Sequence, residues 1–314
     1  MADVKKIATR MGYGAALREL GALHDNIVVF DADLAGSTQT ATFGKAFPDR
    51  HFNCGIAEGN MMAAAAGAAS MGMVAFASSF AMFAAGRAYE QVRNSIGYTQ
   101  LNVKIGASHG GISVGEDGAS HQCLEDYALM RSIPGMVVMS PADEVEARAM
   151  VKAAYEHQGP VYMRFGRSPV PVFHDEETFR FEIGRGEVMR DGSDIAIIAN
   201  GLLVAEAVEA GELLAAQGIH ARIINMATVK PLDEALVLKA AEECGRILTC
   251  EEHSVIGGLG DAVCSFLSET RPTPVKRIGT PDVFGHSGPA GDLLRQFGLC
   301  AEHIAETARR FLQG

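Results

Sequence analysis

A single carboxylate, Glu58, stands at the head of a long uncharged stretch, since no Asp, Glu, Lys or Arg occurs from residue 59 to residue 86. A carboxylate in this place is either a charge at the start of a helix or a group that exchanges a proton with a ligand. The stretch is long enough to span a bilayer. It is rich in Ala, Gly and Ser, however, and is interrupted by Gly67, Gly72 and the serine pair at 78–79. The pattern therefore predicts a buried helix over 58–72 followed by a buried strand.

Further polar and aromatic side chains cluster in segments that follow predicted strands. Taken alone, each has a structural alternative. Asp33 and Ser37 are residue types that cap helices and turns. Phe80 and Phe83 suit a core, and Arg167 suits a surface ion pair. Taken together they predict one site, whose remaining candidates are Arg10, His109, Asp117 and His121.

The stretch "SHGGISVGEDGASHQ", residues 108–122, predicts a loop that approaches a ligand closely, because glycine leaves the backbone free to do so. Its two histidines are twelve residues apart and lack the close H-x₃₋₅-H spacing of zinc sites. We therefore predict no metal ligands in this chain.

Strand and helix patterns alternate along the whole chain, which is typical of α/β domains with mostly parallel sheets covered by helices. The alternation pauses over a charged segment near residue 180. We therefore predict two doubly wound domains, at 1–172 and 188–314, joined by a linker at 173–187. In such sheets ligands bind at the carboxyl ends of the strands.

Composition and charge narrow the function classes. The formal net charge is −11 and no Lys/Arg-rich block occurs, which argues against a nucleic-acid partner. The N-terminal residues show no apolar signal region, and the six cysteines form no C-x-x-C pair, so we expect reduced thiols and a cytoplasmic protein. No G-x-G-x-x-G, P-loop or G-x-S-x-G motif is present where it would carry chemistry.

Three segments carry a family resemblance: "GIAEGNM", "SHGGISVGEDGASHQCLEDYALMRSIPGMVVMSPAD" and "FGHSGPAGDLLRQFGL". They resemble the C-terminal half of transketolases, and the similarity covers essentially the whole chain. It implies a pyrimidine-binding domain at 1–172 and a transketolase C-terminal domain at 188–314. It also implies two-carbon ketol transfer from a ketose phosphate to an aldose, with thiamine diphosphate as cofactor.

The "GDG" motif that holds the diphosphate and metal in this family, followed by Asn about 25 residues on, is absent. The chain therefore resembles the C-terminal subunit of a split, two-component transketolase. On this view the thiamine diphosphate is shared with an N-terminal-half partner subunit, which holds Mg²⁺ or Ca²⁺. We expect self-association through the helix at 58–72 and an α₂β₂ assembly with the partner.

The resemblance implies residue roles in three groups: catalysis, cofactor contact and sugar contact. These are Glu58 and His121 for catalysis, Asp33, Glu58, Phe80 and Phe83 for the cofactor, and Arg10, Ser37, His109, Asp117 and Arg167 for the phosphorylated sugar. In the family, the carboxyl in the place of Glu58 hydrogen-bonds N1′ of the aminopyrimidine. The chain departs from the family pattern at two positions. Many transketolases have His directly after the catalytic Glu, where this chain has Gly59. Many also have a third aromatic residue near the position of Gly86, where this chain has glycine.

Two alternatives remain open from sequence. One is a subunit related to deoxyxylulose-phosphate synthase or to the β subunit of oxo-acid dehydrogenases, although the predicted phosphate contacts argue against the dehydrogenase. The other is a non-catalytic regulatory or scaffold chain, against which Glu58, Asp117 and His121 argue.

Overall fold

The strands of the protein fall into two main sheets and one small antiparallel pair, in a computed structural model that describes residues 5–314. Numbered along the chain, they are β1 (Lys6–Ile7), β2 (Ile27–Asp31), β3 (His51–Asn53), β4 (Val74–Phe80), β5 (Val103–Ser108), β6 (Val137–Met139), β7 (Val161–Phe165), β8 (Val170–Pro171), β9 (Glu187–Arg190), β10 (Ile195–Ala199), β11 (Ala221–Asn225), β12 (Thr228–Lys230), β13 (Ile247–Ser254) and β14 (Val275–Thr280).

Helices alternate with these strands. The α-helices are α1 (Thr9–Leu23), α2 (Ala35–Thr38), α3 (Ala41–Ala46), α4 (Glu58–Ser70), α5 (Tyr89–Gln91), α6 (Asp126–Arg131), α7 (Glu144–Glu156), α8 (Leu203–Ala215), α9 (Glu234–Cys244), α10 (Leu259–Thr270), α11 (Ala290–Gln296) and α12 (Ala301–Gln313). Wider π-helical turns, Met82–Arg87 and Val92–Tyr98, flank α5, and 3₁₀ turns occur at Pro48–Arg50 and Ile112–Asp117.

The larger sheet has the order β12-β6-β7-β5-β4-β2-β3, and all its strands except β12 run parallel. Every residue of β2, β4, β5 and β7 is buried. Such strands have helices on both faces, which is why their sequences are mostly apolar or small rather than alternating, with Asp31, Lys104 and Arg164 as buried charged exceptions. Helix α4 ends at Ser70, two residues before the predicted end, and Gly72 then adopts a positive φ of 92° that favours glycine.

The second sheet has the order β14-β13-β10-β11-β9, parallel except for the edge strand β9. The prediction of an α/β fold with two mostly parallel sheets is thus confirmed. The exact domain boundaries stay a prediction. The segment predicted as a linker runs without a helix, and its last residue, Glu187, is the first residue of β9.

The two sheets belong to domains that pack closely. The short strand β12 lies beyond the predicted linker, yet it pairs antiparallel with β6 at the edge of the first sheet. One cluster of buried apolar side chains contains residues from both sheets, including Val138 and Ile224. Among residues 5–314, none of the helices combines the length and the apolar character needed to cross a membrane.

Candidate active site

The carboxyl ends of the parallel strands bring most of the predicted residues to one edge of the first sheet. The residues placed there are Asp33 and Ser37 after β2, Glu58 after β3, Phe80 and Phe83 at the end of β4, His109 after β5 and Arg167 after β7. Two of them, Asp33 and His109, have positive φ angles of 62° and 57°. Non-glycine residues rarely adopt this conformation, and it is concentrated at functional sites.

The aromatic side chains form a compact cluster. The ring of Phe80 lies 4.0 Å from the imidazole of His109 (centroid to centroid) and 6.1 Å from the ring of Phe83, stacked in both cases. His121 meets Phe83 edge-on at 5.2 Å. The fold therefore brings together two residues predicted for the cofactor (Phe80 and Phe83), one predicted for the sugar (His109) and one predicted for catalysis (His121).

Glu58 is the first residue of α4 and is only 2% exposed. Its Oε2 lies 3.4 Å from Nη1 of Arg87, whose guanidinium carbon is 5.4 Å from the centroid of the Phe83 ring. Arg87 is a site residue that sequence reasoning missed. The signal was available, because Arg87 is the first charge after Glu58 and ends the uncharged stretch.

Arg10 and Arg167 supply positive charge beside His109. Arg10 donates from Nη1 to the backbone oxygen of Ser37 at 2.8 Å, so the Ser37 carbonyl, not its hydroxyl, makes this contact. Arg167 donates from Nη1 to the Val114 carbonyl at 2.6 Å and to Glu116 Oε2 at 2.8 Å. Burial, together with the neighbouring Arg167, lowers the pKa of Arg10.

His109 is 4% exposed, and burial together with the charges of Arg10, Arg167 and His121 lowers its pKa to about 3. Its imidazole is therefore neutral near pH 7. Its Nδ1 lies 2.7 Å from Ser108 Oγ. A neutral imidazole can hydrogen-bond a sugar hydroxyl or phosphate, but it adds no charge to the site.

Two predicted residues lie more openly. Asp33 is exposed and makes two hydrogen bonds with Asn53. The Asp33 N–H donates to Asn53 Oδ1 at 3.2 Å, and Asn53 Nδ2 donates to Asp33 Oδ1 at 3.1 Å. Asp117 is exposed at the end of the glycine-rich loop, and its side chain makes no hydrogen bond within residues 5–314. Both carboxylates are thus accessible to a ligand or a partner chain.

The two glycines that depart from the family pattern differ in their surroundings. A β-carbon at Gly59 would lie 3.1 Å from Gln91 Oε1, and one at Gly86 would collide with Cε of Met82. The space beside Gly86 is therefore occupied by a flexible methionine and is not empty.

The side chains suit the aminopyrimidine end of thiamine diphosphate. Glu58 is a buried carboxyl connected through Arg87 to the Phe83 ring, and Phe80 and Phe83 stack on each other as a flat apolar surface. Across the described part of the chain there is no group of three or more His, Cys, Asp or Glu side chains arranged to hold a metal ion.

Comparison with known proteins identifies the class. A family model described as the transketolase pyrimidine-binding domain matches residues 5–172, and one described as the transketolase C-terminal domain matches residues 184–304. The chain therefore belongs to the transketolase family.

Within that family, the chain resembles proteins of similar length. It is 51% identical to a putative transketolase C-terminal section of Methanocaldococcus jannaschii, covering 95% of this chain and 94% of that protein. It is 42% identical to a 6-deoxy-6-sulfo-D-fructose transketolase subunit of Clostridium sp., covering 94% and 92% respectively. A solved structure described as a split-gene transketolase in an inactive β4 tetramer matches with a TM-score of 0.91 and 52% identity, covering 98% and 99%.

Longer proteins match as well. The chain is 39% identical to a 1-deoxy-D-xylulose-5-phosphate synthase of Heliobacterium modesticaldum over 95% of its own length, but it spans only 46% of that enzyme.

Proposed function

We propose that this chain is the C-terminal subunit of a two-component transketolase, which transfers a two-carbon ketol unit from a ketose phosphate to an aldose or aldose phosphate. The observation that carries the proposal is the stacking of His109 on Phe80, with Phe83 alongside. Phe80 and Phe83 form a flat surface suited to a cofactor ring. His109, stacked on Phe80, also lies beside Arg10 and Arg167, which are suited to a sugar phosphate.

Each residue has a defined task in this reaction. Phe80 and Phe83 hold the aminopyrimidine ring, with Asp33 near the cofactor. Glu58 shares a proton with N1′ of that ring, and the nearby Arg87 holds the carboxyl in place. Bound thiamine diphosphate supplies a carbanion-stabilising centre that the protein's own side chains lack.

The sugar is held by the remaining residues. Arg167 and Arg10 bind its phosphate through charge-assisted hydrogen bonds, with the neutral His109 and Ser37 beside them. Asp117 accepts a hydrogen bond from a substrate hydroxyl, and His121 exchanges a proton at the sugar.

The proposal requires a second chain. The predicted N-terminal-half subunit would bring the diphosphate and Mg²⁺ or Ca²⁺ ligands, in an α₂β₂ complex with the cofactor shared between subunits. Two relatives of about the same length as this chain, one named as a C-terminal section and one as a subunit, support this division.

Reconstitution tests the proposal. The purified chain is titrated with thiamine diphosphate and Mg²⁺ by calorimetry, alone and with an N-terminal-half transketolase subunit. We expect sub-micromolar binding and ketol transfer from a ketose phosphate only in the mixture. Sub-micromolar binding by the lone chain would refute the division of ligands. Activity of the mixture only with pyruvate and glyceraldehyde 3-phosphate would assign it to the synthase branch instead.

A further inference from the structure

The glycine-rich loop that presents His109, Asp117 and His121 is held from behind by the second domain. We propose that Glu252, on β13 of that domain, is a positioning residue that sets this loop for sugar binding. The inference rests on the proposed function for what the loop binds, whereas the contact itself is a property of the fold.

The contact is short and buried. Glu252 is 4% exposed, and its Oε1 accepts a hydrogen bond from the backbone N–H of Ser113 at 2.7 Å. A β-carbon at Gly111 would collide with the same carboxylate, and Gly111 has a φ of 88°. The loop backbone is thus fitted against Glu252 at a point where only glycine can lie.

A buried arginine fixes the loop and β13 to each other. Arg164 lies within β7 and points into the interface between the domains. Its Nη2 donates to the Glu252 carbonyl at 2.8 Å and to the Cys123 carbonyl at 3.0 Å, and its Nε lies 2.9 Å from Asp126 Oδ2. Buried ion pairs add little stability by themselves, and here the guanidinium joins the end of the loop to the strand that carries Glu252.

The segment 284–291, "FGHSGPAG", supports the opposite side of the loop. Gln122 donates from Nε2 to the Ile112 carbonyl at 3.2 Å and to the His286 carbonyl at 3.0 Å. A β-carbon at Gly115 would lie 3.3 Å from the Gly288 carbonyl oxygen. The loop is therefore enclosed between β13 and this segment, which accounts for a motif that the ketol-transfer chemistry leaves without a role.

Glu251, the neighbour of Glu252 on β13, provides a matched control for the loss of a buried carboxylate. Glu251 is also fully buried, but its carboxylate accepts hydrogen bonds from Leu259 and Gly260 at the start of α10 within the second domain, at 2.7 and 2.8 Å. Its removal should damage the second domain without releasing the loop.

The experiment compares Glu252→Ala, Glu252→Gln and Glu251→Ala in the complex with the N-terminal-half subunit. Four quantities are measured: KM for a ketose phosphate, C2–H/D exchange of bound thiamine diphosphate, amide hydrogen exchange of peptides covering 109–122, and Tm. A displaced loop misplaces the sugar contacts but leaves the carboxyl of Glu58 in place, because Glu58 starts α4 after another strand and its side chain contacts Arg87.

For Glu252→Ala we expect a KM increase of roughly 10–100-fold, unchanged C2 exchange, and amide exchange of the loop at least about tenfold faster. Glu252→Gln keeps an acceptor oxygen for Ser113 and should restore KM and the amide exchange of the loop. Glu251→Ala should lower Tm without changing KM or loop exchange.

Equal effects of Glu252→Ala and Glu251→Ala on KM, or unchanged loop exchange in Glu252→Ala, would overturn the inference. If the unaltered complex transfers no ketol units, the proposed function fails. Loop exchange needs no turnover and still decides whether Glu252 positions the loop.

Discussion

The imidazole of His109 lies nearly parallel to the ring of Phe80, with 4.0 Å between ring centroids and 25° between planes, although Phe80 ends β4 and His109 follows β5. The register of the sheet explains the contact. Phe80 pairs with Ser108 across β4 and β5, so His109, the residue that follows β5, reaches the Phe80 ring. One residue proposed for the cofactor, Phe80, is therefore in direct contact with one proposed for the sugar, His109.

Glu58→Gln tests the proton-sharing role of the carboxyl. The variant keeps the side-chain size but loses the acid, so C2–H/D exchange of thiamine diphosphate in the complex should slow by roughly 10²–10⁴-fold. The thermal melt should change little, since a charge at a helix start contributes about 1 kcal/mol or less. The exposed Glu90→Gln serves as the control. Unchanged exchange with a lowered Tm would show that Glu58 acts only as a helix-terminal charge.

Arg167→Ala tests the phosphate site. Loss of a charge-assisted contact should cost about 1.5–3 kcal/mol, which raises KM for phosphorylated donors by roughly 10–100-fold and changes KM for unphosphorylated donors much less. Steady-state kinetics with both donor types measure this difference. The exposed Arg185→Ala should be neutral, and equal effects of Arg167→Ala on both donors would remove Arg167 from the phosphate site.

Glu116→Gln should act in the opposite direction. The Glu116 carboxylate holds Arg167 in the structure, at 2.8 Å, and therefore competes with a substrate phosphate for the same guanidinium. Because the pair is exposed, we expect only a roughly two- to fivefold lower KM for phosphorylated donors, measured at low ionic strength. An increase in KM would mean that Glu116 orients Arg167 rather than competing for it.

Ala63→Glu tests self-association through α4. The residues of this helix that point outward are small, including Asn60, Ala63, Gly67 and Ser70, and nothing lies within 4 Å of a β-carbon placed at Gly67. A carboxylate in that stripe should convert a dimer or larger assembly to monomer by light scattering, whereas the exposed Ser268→Glu on α10 should not. A chain that is monomeric before any substitution, alone and with the partner, would contradict the proposed interface.

His174→Gln tests an ion pair between the linker and the first domain. Burial alone would lower the pKa of His174, but hydrogen bonds to Asp143 and Glu187, with the nearby charge of Glu146, raise it to about 10. A histidine whose pKa is raised by folding stabilises the fold fully at pH values below its unfolded pKa of about 6.5. This stabilisation is lost as the pH rises towards 10.

The variant should therefore be less stable than the unaltered chain by roughly 1–3 kcal/mol at pH 6. The difference in Tm should shrink between pH 7 and pH 10. Melts at pH 6, 8 and 10, with the exposed His303→Gln as control, measure it. A gap that is constant or widens with pH would show that His174 is not charged in the folded protein.

Local patterns in the sequence were sufficient to predict the architecture and to place most of the candidate site residues after strands. Mostly apolar strands alternate with helices, and parallel strands end at a common edge, so residues such as Phe80, His109 and Arg167 could be placed at one edge of a sheet without knowing the strand order. The uncharged stretch likewise predicted α4 and placed Glu58 at its start, where the structure has it.

Other features were decided only by the tertiary structure. Arg164 and Arg167 are three residues apart, yet one is buried between domains and the other reaches Glu116, because Arg164 still belongs to β7 and a strand residue's direction depends on register. The strand β12 is only three residues long and has no periodicity of its own, and the hydrogen bond from Ser113 to Glu252 spans 139 residues. Long-range pairings of this kind leave no local pattern, since they form only when the packing of two domains brings distant backbone groups within reach.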